Sequence, residues 1–171
     1  MSRRRRIGRL IERHFGMFRK SQRGTICDLS LGLVKRGRVG LAAIARGMED
    51  ATTVRHRIKR AWRFARNDGV FHEAATYGLT SWIFSGSAKA IIALDWTDLD
   101  EYKLLAAKVA VDGRAVPIAW EVVRKGVFTR RKRSRNHVEE RLIQRLCRAV
   151  DPARWILVAD RGFARADLFQ K

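Results

Sequence analysis

Two aspartates close two short apolar runs. In "AIIALDWT", residues 90–97, five apolar residues precede Asp95. In "WILVADRGF", residues 155–163, the uncharged run from Trp155 to Ala159 precedes Asp160, 65 positions further on. A continuous apolar run is the pattern of a strand covered on both faces, and a carboxylate at its end lies at the carboxyl edge of the sheet, where open α/β sheets keep their sites. Two carboxylates on neighbouring strands repel one another unless a cation lies between them. Mg²⁺ suits that position, with Mn²⁺ as a substitute, because it is a hard ion that accepts one or two carboxylates, keeps waters and takes substrate phosphate oxygens. A pair of such ions clamps the attacking and leaving oxygens of an in-line phosphoryl displacement. One strand-ending aspartate alone is more often a turn or cap residue. The matched pair is what points to chemistry.

Asp95 and Asp160 meet only if their strands are parallel neighbours. "YKLLAAKVAVDGRAVPIAWEVV", residues 102–123, reads as two strands around Asp112 and Gly113, a two-residue hairpin signal. Pro117 cannot donate to a ladder, so its strand belongs at a sheet edge. The basic loop "RKGVFTRRKRSR" leads to a helix from about residue 137, with Asn136 as cap and Glu139 completing a capping box. Val138, Leu142, Leu146 and Ala149 form its apolar stripe, and Arg145 and Arg148 lie near its C-terminus, where the macrodipole favours cations. A helix that returns the chain to the sheet delivers a parallel strand. The expected architecture over residues 90–171 is therefore an α/β mixed sheet ordered 3-2-1-4.

The remainder of the chain is dominated by charge. Among 171 residues, 37 Lys+Arg face 17 Asp+Glu, a net charge of +20 that calls for a polyanionic partner, nucleic acid by default and an anionic membrane surface as the alternative. Hydrophobic residues make up 46%, enough for a packed core and against wholesale disorder. No run approaches the roughly 18 apolar residues of a spanning helix. Cys27 and Cys147 are too far apart for a metal or redox spacing, which fits a reducing cytoplasm. Residues 1–24, opening "MSRRRR", read as a mobile basic arm, residues 25–84 as a helical region and residues 85–89, "SGSAK", as a linker. Leu41, Ile44, Ala45 and Met48 mark one amphipathic helix that Gly47 breaks. Thr52 or Thr53 caps the next, whose apolar face is Val54, Ile58, Ala61, Trp62 and Ala65 and whose other surface holds Arg55, Arg57, Lys59, Arg60, Arg63 and Arg66 without an acid. Helix, turn and basic helix is the layout of a helix-turn-helix DNA reader, with contacts more to phosphate than to base edges. Arg131, Lys132 and Arg133 in the basic loop add to the same expected DNA-binding surface. Trp62 is expected in the core or an interface and not as a base-stacking platform.

"ALDWTD" (93–98) and "ADRGF" (159–163) resemble the first and second acidic motifs of insertion-sequence DDE transposases, in the large group that includes insertion sequence four and transposon five. "HRIKRAWRFARND" (56–68) is similar to the helix before their catalytic domain, so the resemblance covers roughly residues 30–171. It implies a ribonuclease-H-like core behind a small all-α DNA-binding region, acting in DNA transposition in the bacterial cytoplasm, associated with the nucleoid. It further implies duplex transposon ends as partner, Mg²⁺-dependent strand cleavage and transfer, Asp95 and Asp160 as the first two metal-binding acids, and Thr97 and Arg161 close to DNA. Whether the protein pairs as a homodimer on DNA is left open. The family also uses a third acid, a glutamate downstream of the second motif, and no glutamate follows Asp160. The chain is therefore expected to be an N-terminal, truncated portion that is inactive by itself. A DNA-binding protein without chemistry is the alternative, and a basic RNA-binding protein a weaker one.

Overall fold

The computed structural model describes residues 2–67, 71–86, 89–128 and 134–163. The chain divides into two compact units, Met1–Ala74 and Ala75–Lys171.

The first unit contains α1 (Arg3–His14), α2 (Lys20–Arg36), α3 (Leu41–Gly47) and α4 (Val54–Ala65). The expected mobile arm is thus helical. Ile7, Leu10 and Ile11 recur at i, i+3 and i+4 among the arginines, and this stripe closes on Ile26, Cys27 and Leu31 of α2. The Ser2 hydroxyl caps α1 by accepting from the Arg5 amide at 3.4 Å. Burial of Cys27 raises its thiol above the ordinary value, so it behaves as a small apolar residue. Where α2 meets α3 the backbones touch: a Cβ on Gly32 would overlap the Ile44 carbonyl, and one on Gly47 would lie 2.6 Å from the Gly32 oxygen. Thr53 caps α4 by accepting from the His56 amide at 3.4 Å. Ile58 and Ala61 then pack on Leu29, Leu41, Ala45 and Met48. Trp62 does not join them and is 52% exposed. A seven-residue α3 presents only a narrow strip, which Ile58 and Ala61 already fill.

The division between units falls inside α5 (Phe71–Phe84), not at residues 85–89. The second unit holds β1 (Ala90–Leu99), β2 (Tyr102–Val111), β3 (Arg114–Arg124), α6 (Arg135–Ala149) and β4 (Trp155–Ala159). The strands form a mixed sheet ordered β3-β2-β1-β4, with β1–β2 and β2–β3 antiparallel and β1–β4 parallel, as expected. Asp112 and Gly113 turn the β2–β3 hairpin with positive φ at both residues, the backbone that an Asp-Gly pair adopts most readily. Pro117 sits on the edge strand β3, beside an irregularity in register that leaves both Ile118 and Ala119 buried.

The core of this unit lies between the sheet and the helices. Val138, Leu142 and Leu146 of α6 pack with Ile92, Leu94, Leu105, Val109 and Ile118 of the sheet, and Leu79, Ile83 and Phe84 of α5 join the same cluster. The α6 cap is Ser134, whose hydroxyl accepts from the His137 amide at 3.3 Å, and not Asn136. Glu139 is accordingly free of the capping role and turns inward, where its carboxylate accepts from Trp96 Nε1 at 2.8 Å. Arg145 is likewise drawn away from the helix end: with Arg141 it pairs to the buried Glu121 of β3 and also donates to the Trp120 carbonyl. A buried carboxylate outcompetes a helix dipole for a guanidinium.

Candidate functional site

The register of the parallel pair decides where the two aspartates stand. The β1–β4 ladder runs from Ala90 opposite Trp155 to Leu94 opposite Ala159. Asp95 and Asp160 are the next residue in each chain segment, so they occupy matching positions on neighbouring strands. Adjacent strands lie about 4.8 Å apart, a spacing at which two carboxylates can bracket one ion. Only Asp160 ends its strand. β1 continues past Asp95 to Leu99 because β2 goes on pairing with it, from Ala106 opposite Asp95 to Tyr102 opposite Leu99.

Alternation along β1 sends Ile92 and Leu94 into the core and leaves Ile91, Ala93, Asp95 and Thr97 on the opposite face. That face is not covered by the described residues: Ile91, Ile156 and Val158 are exposed. The expectation that the apolar runs are buried on both sides is therefore corrected to one covered side. Apolar runs on a half-covered sheet look the same in sequence as runs on a fully covered one.

Each aspartate has partners. Lys108, on β2, places Nζ 3.1 Å from Asp95 Oδ2, and the Thr97 hydroxyl lies 3.5 Å from the same oxygen. Asp160 Oδ1 accepts from the Gly162 amide at 2.9 Å and caps the 3-10 turn Arg161–Phe163. A Cβ at position 162 would lie 3.0 Å from that oxygen, so glycine keeps the carboxylate uncrowded. Arg161 is exposed in this turn. Lys108 was missed by the sequence reading. Its signal is a charged residue inside the apolar run that follows Lys103, and its pairing with Asp95 depends on the cross-strand register.

The donor set fits a hard cation. Two carboxylates at one register offer oxygens of the kind that Mg²⁺ takes, while the Lys108 ammonium already pairs with Asp95 and would have to give way to an ion. Among the described residues no group of three His, Cys, Asp or Glu side chains comes together.

The basic helix α4 is less uniform than its composition. Arg60 lies 2.7 Å from Asp28 of α2 and 2.7 Å from Asp50, while Arg57 lies 3.5 Å from Asp50 and also bonds the Met48 carbonyl. Arg4 of α1 reaches the other oxygen of Asp28 at 2.8 Å. These arginines tie the helices of the first unit together. Burial pushes the Asp50 carboxyl up, but the Thr52 hydroxyl and amide together with Arg60 and Arg57 hold it below the usual range. Arg55, Lys59 and Arg63 remain on the exposed surface, with Arg66 beyond the helix end. Arg131, Lys132 and Arg133 lie outside the described residues.

Comparison with protein-family models, with curated proteins and with solved structures finds no match to this chain. Among the described residues no helix is long and apolar enough to cross a membrane.

Proposed function

We propose that this chain binds duplex DNA through its helical unit and belongs, by its acidic motifs, with the DDE transposases, its sheet unit carrying two carboxylates of their metal site. The observation that supports this best is the matching register of Asp95 and Asp160 on adjacent parallel strands, with both residues one step past the last ladder pair. On this reading Asp95 and Asp160 hold a Mg²⁺ ion, Lys108 neutralises Asp95 when no ion is bound, and Thr97 and Arg161 lie beside the phosphate that the ion receives. A bound Mg²⁺ would polarise a phosphoryl oxygen and lower the pKa of a water. In the helical unit, Arg55, Lys59 and Arg63 contribute phosphate contacts, whereas Arg57 and Arg60 hold the fold.

The test has two arms. Mn²⁺ titration of the protein, followed by the paramagnetic signal of the free ion, should show binding that Asp160→Asn removes. Duplex binding measured across a salt series should lose about 0.9 in slope for each phosphate contact removed by Arg55→Ala, Lys59→Ala or Arg63→Ala. An unchanged slope in all three would mean that α4 does not touch phosphate. A second reading rests on the partners of the two aspartates: Asp95 is an ion-pair residue and Asp160 a turn cap, as in a DNA-binding protein without chemistry. Under that reading Asp160→Asn lowers stability and no Mn²⁺ binds to either form.

A further inference from the structure

An open groove of about 880 Å³ runs along α4, and Trp62 stands in it with Thr52, His56, Lys59, Arg60, Arg63 and Arg66. The indole is 52% exposed, although a residue of this type is ordinarily among the more buried. Its helical neighbours at i−3 and i+4 are Lys59 and Arg66, so the ring is flanked by cations above and below along the helix. Among the described residues, none of Lys59, Arg63 and Arg66 is paired with a carboxylate, whereas Arg60, which also lines the groove, is held by Asp28 and Asp50. An aromatic ring set among cations in a groove is the arrangement by which proteins hold single strands: cations follow the backbone and the ring takes a base face. In an intact duplex those faces are already stacked, and only base edges and phosphates are open to a side chain.

We propose that Trp62 is a stacking platform for an unpaired DNA base, with Lys59, Arg63 and Arg66 contacting the flanking phosphates. The inference rests on the DNA-binding reading above and adds to it a preference for DNA that carries a single-stranded tail. It takes Trp62 out of the core role that its position in the sequence suggests.

Two probes separate the two ideas: a blunt duplex, and the same duplex with a short 3′ thymidine tail. The native protein should bind the tailed probe more tightly. Trp62→Ala should weaken tailed binding by roughly 5- to 150-fold, the range that alanine substitution of a base-stacking ring gives, and should leave blunt binding unchanged. Trp62→Phe, which keeps a ring face, should retain most of the preference. Because Trp62 is half exposed, the alanine variant should keep the native far-ultraviolet circular dichroism spectrum, and this is checked first. Blunt binding with no gain from the tail, or a gain that survives Trp62→Ala, would overturn the inference alone. Failure to bind either probe would overturn the DNA-binding reading as well.

Discussion

Replacing Lys108 with Met asks whether the Asp95 carboxylate is held for a metal or for an ion pair. The ammonium lies 3.1 Å from Asp95 Oδ2, and the two side chains are 29% and 53% exposed. At that separation the bare attraction is about 1 kcal/mol in bulk water and about 5 kcal/mol at an effective dielectric constant of 20. Solvent screening and the entropy of two ordered side chains reduce pairs this exposed to below about 1 kcal/mol net. Lys108→Met should therefore shift the unfolding midpoint in urea very little, since methionine keeps most of the aliphatic length of lysine. A cation arriving at Asp95 must displace this ammonium, so its removal should tighten Mn²⁺ binding by up to about 5-fold, the equivalent of about 1 kcal/mol. Calorimetric titration of both proteins in the same buffer measures the change. Weaker Mn²⁺ binding in Lys108→Met, or a loss of several kcal/mol in stability, would refute the reasoning, because either result makes the pair structural.

Two further outcomes test the helical unit. Gly32→Ala should destabilise the α2–α3 crossing by about 1–3 kcal/mol, the cost of overpacking, because its methyl would overlap the Ile44 carbonyl; thermal unfolding reads this. The depressed Asp50 carboxyl makes stability pH-dependent: its contribution is full above the ordinary value of 3.8 and is lost as pH falls through the lower folded value. Asp50→Asn should therefore flatten the acid limb of a stability-versus-pH curve below about pH 4, and an identical limb in both proteins would show that the Thr52 hydrogen bonds and the Arg60 and Arg57 charges together do not hold this carboxyl down.

Local chemistry alone determined a large share of this protein. Asp112 and Gly113 specify a two-residue turn because few other pairs tolerate positive φ at both positions. Pro117 restricts its strand to an edge because it has no amide hydrogen, and Val138, Leu142 and Leu146 mark the covered face of α6 by helical spacing. Two apolar runs of equal length were enough to align Asp95 with Asp160, since a parallel ladder preserves the offset between its strands. Other properties depend on residues distant in sequence. The five lysines and arginines of α4 look equivalent in a charge count, but Asp28, 32 positions before Arg60, and Asp50 bind two of them, and only folding brings Asp28 near. The same holds for Lys108, which reaches Asp95 through the register of an antiparallel pair. In residues 1–24 the apolar spacing of Ile7, Leu10 and Ile11 was present in the sequence, but its meaning depended on α2 supplying an apolar surface to receive it. Trp62 shows the converse: its spacing matches a buried stripe, and the short length of α3 leaves it in solvent. Periodicity reports which residues can be buried together, while the partner surface decides which of them are.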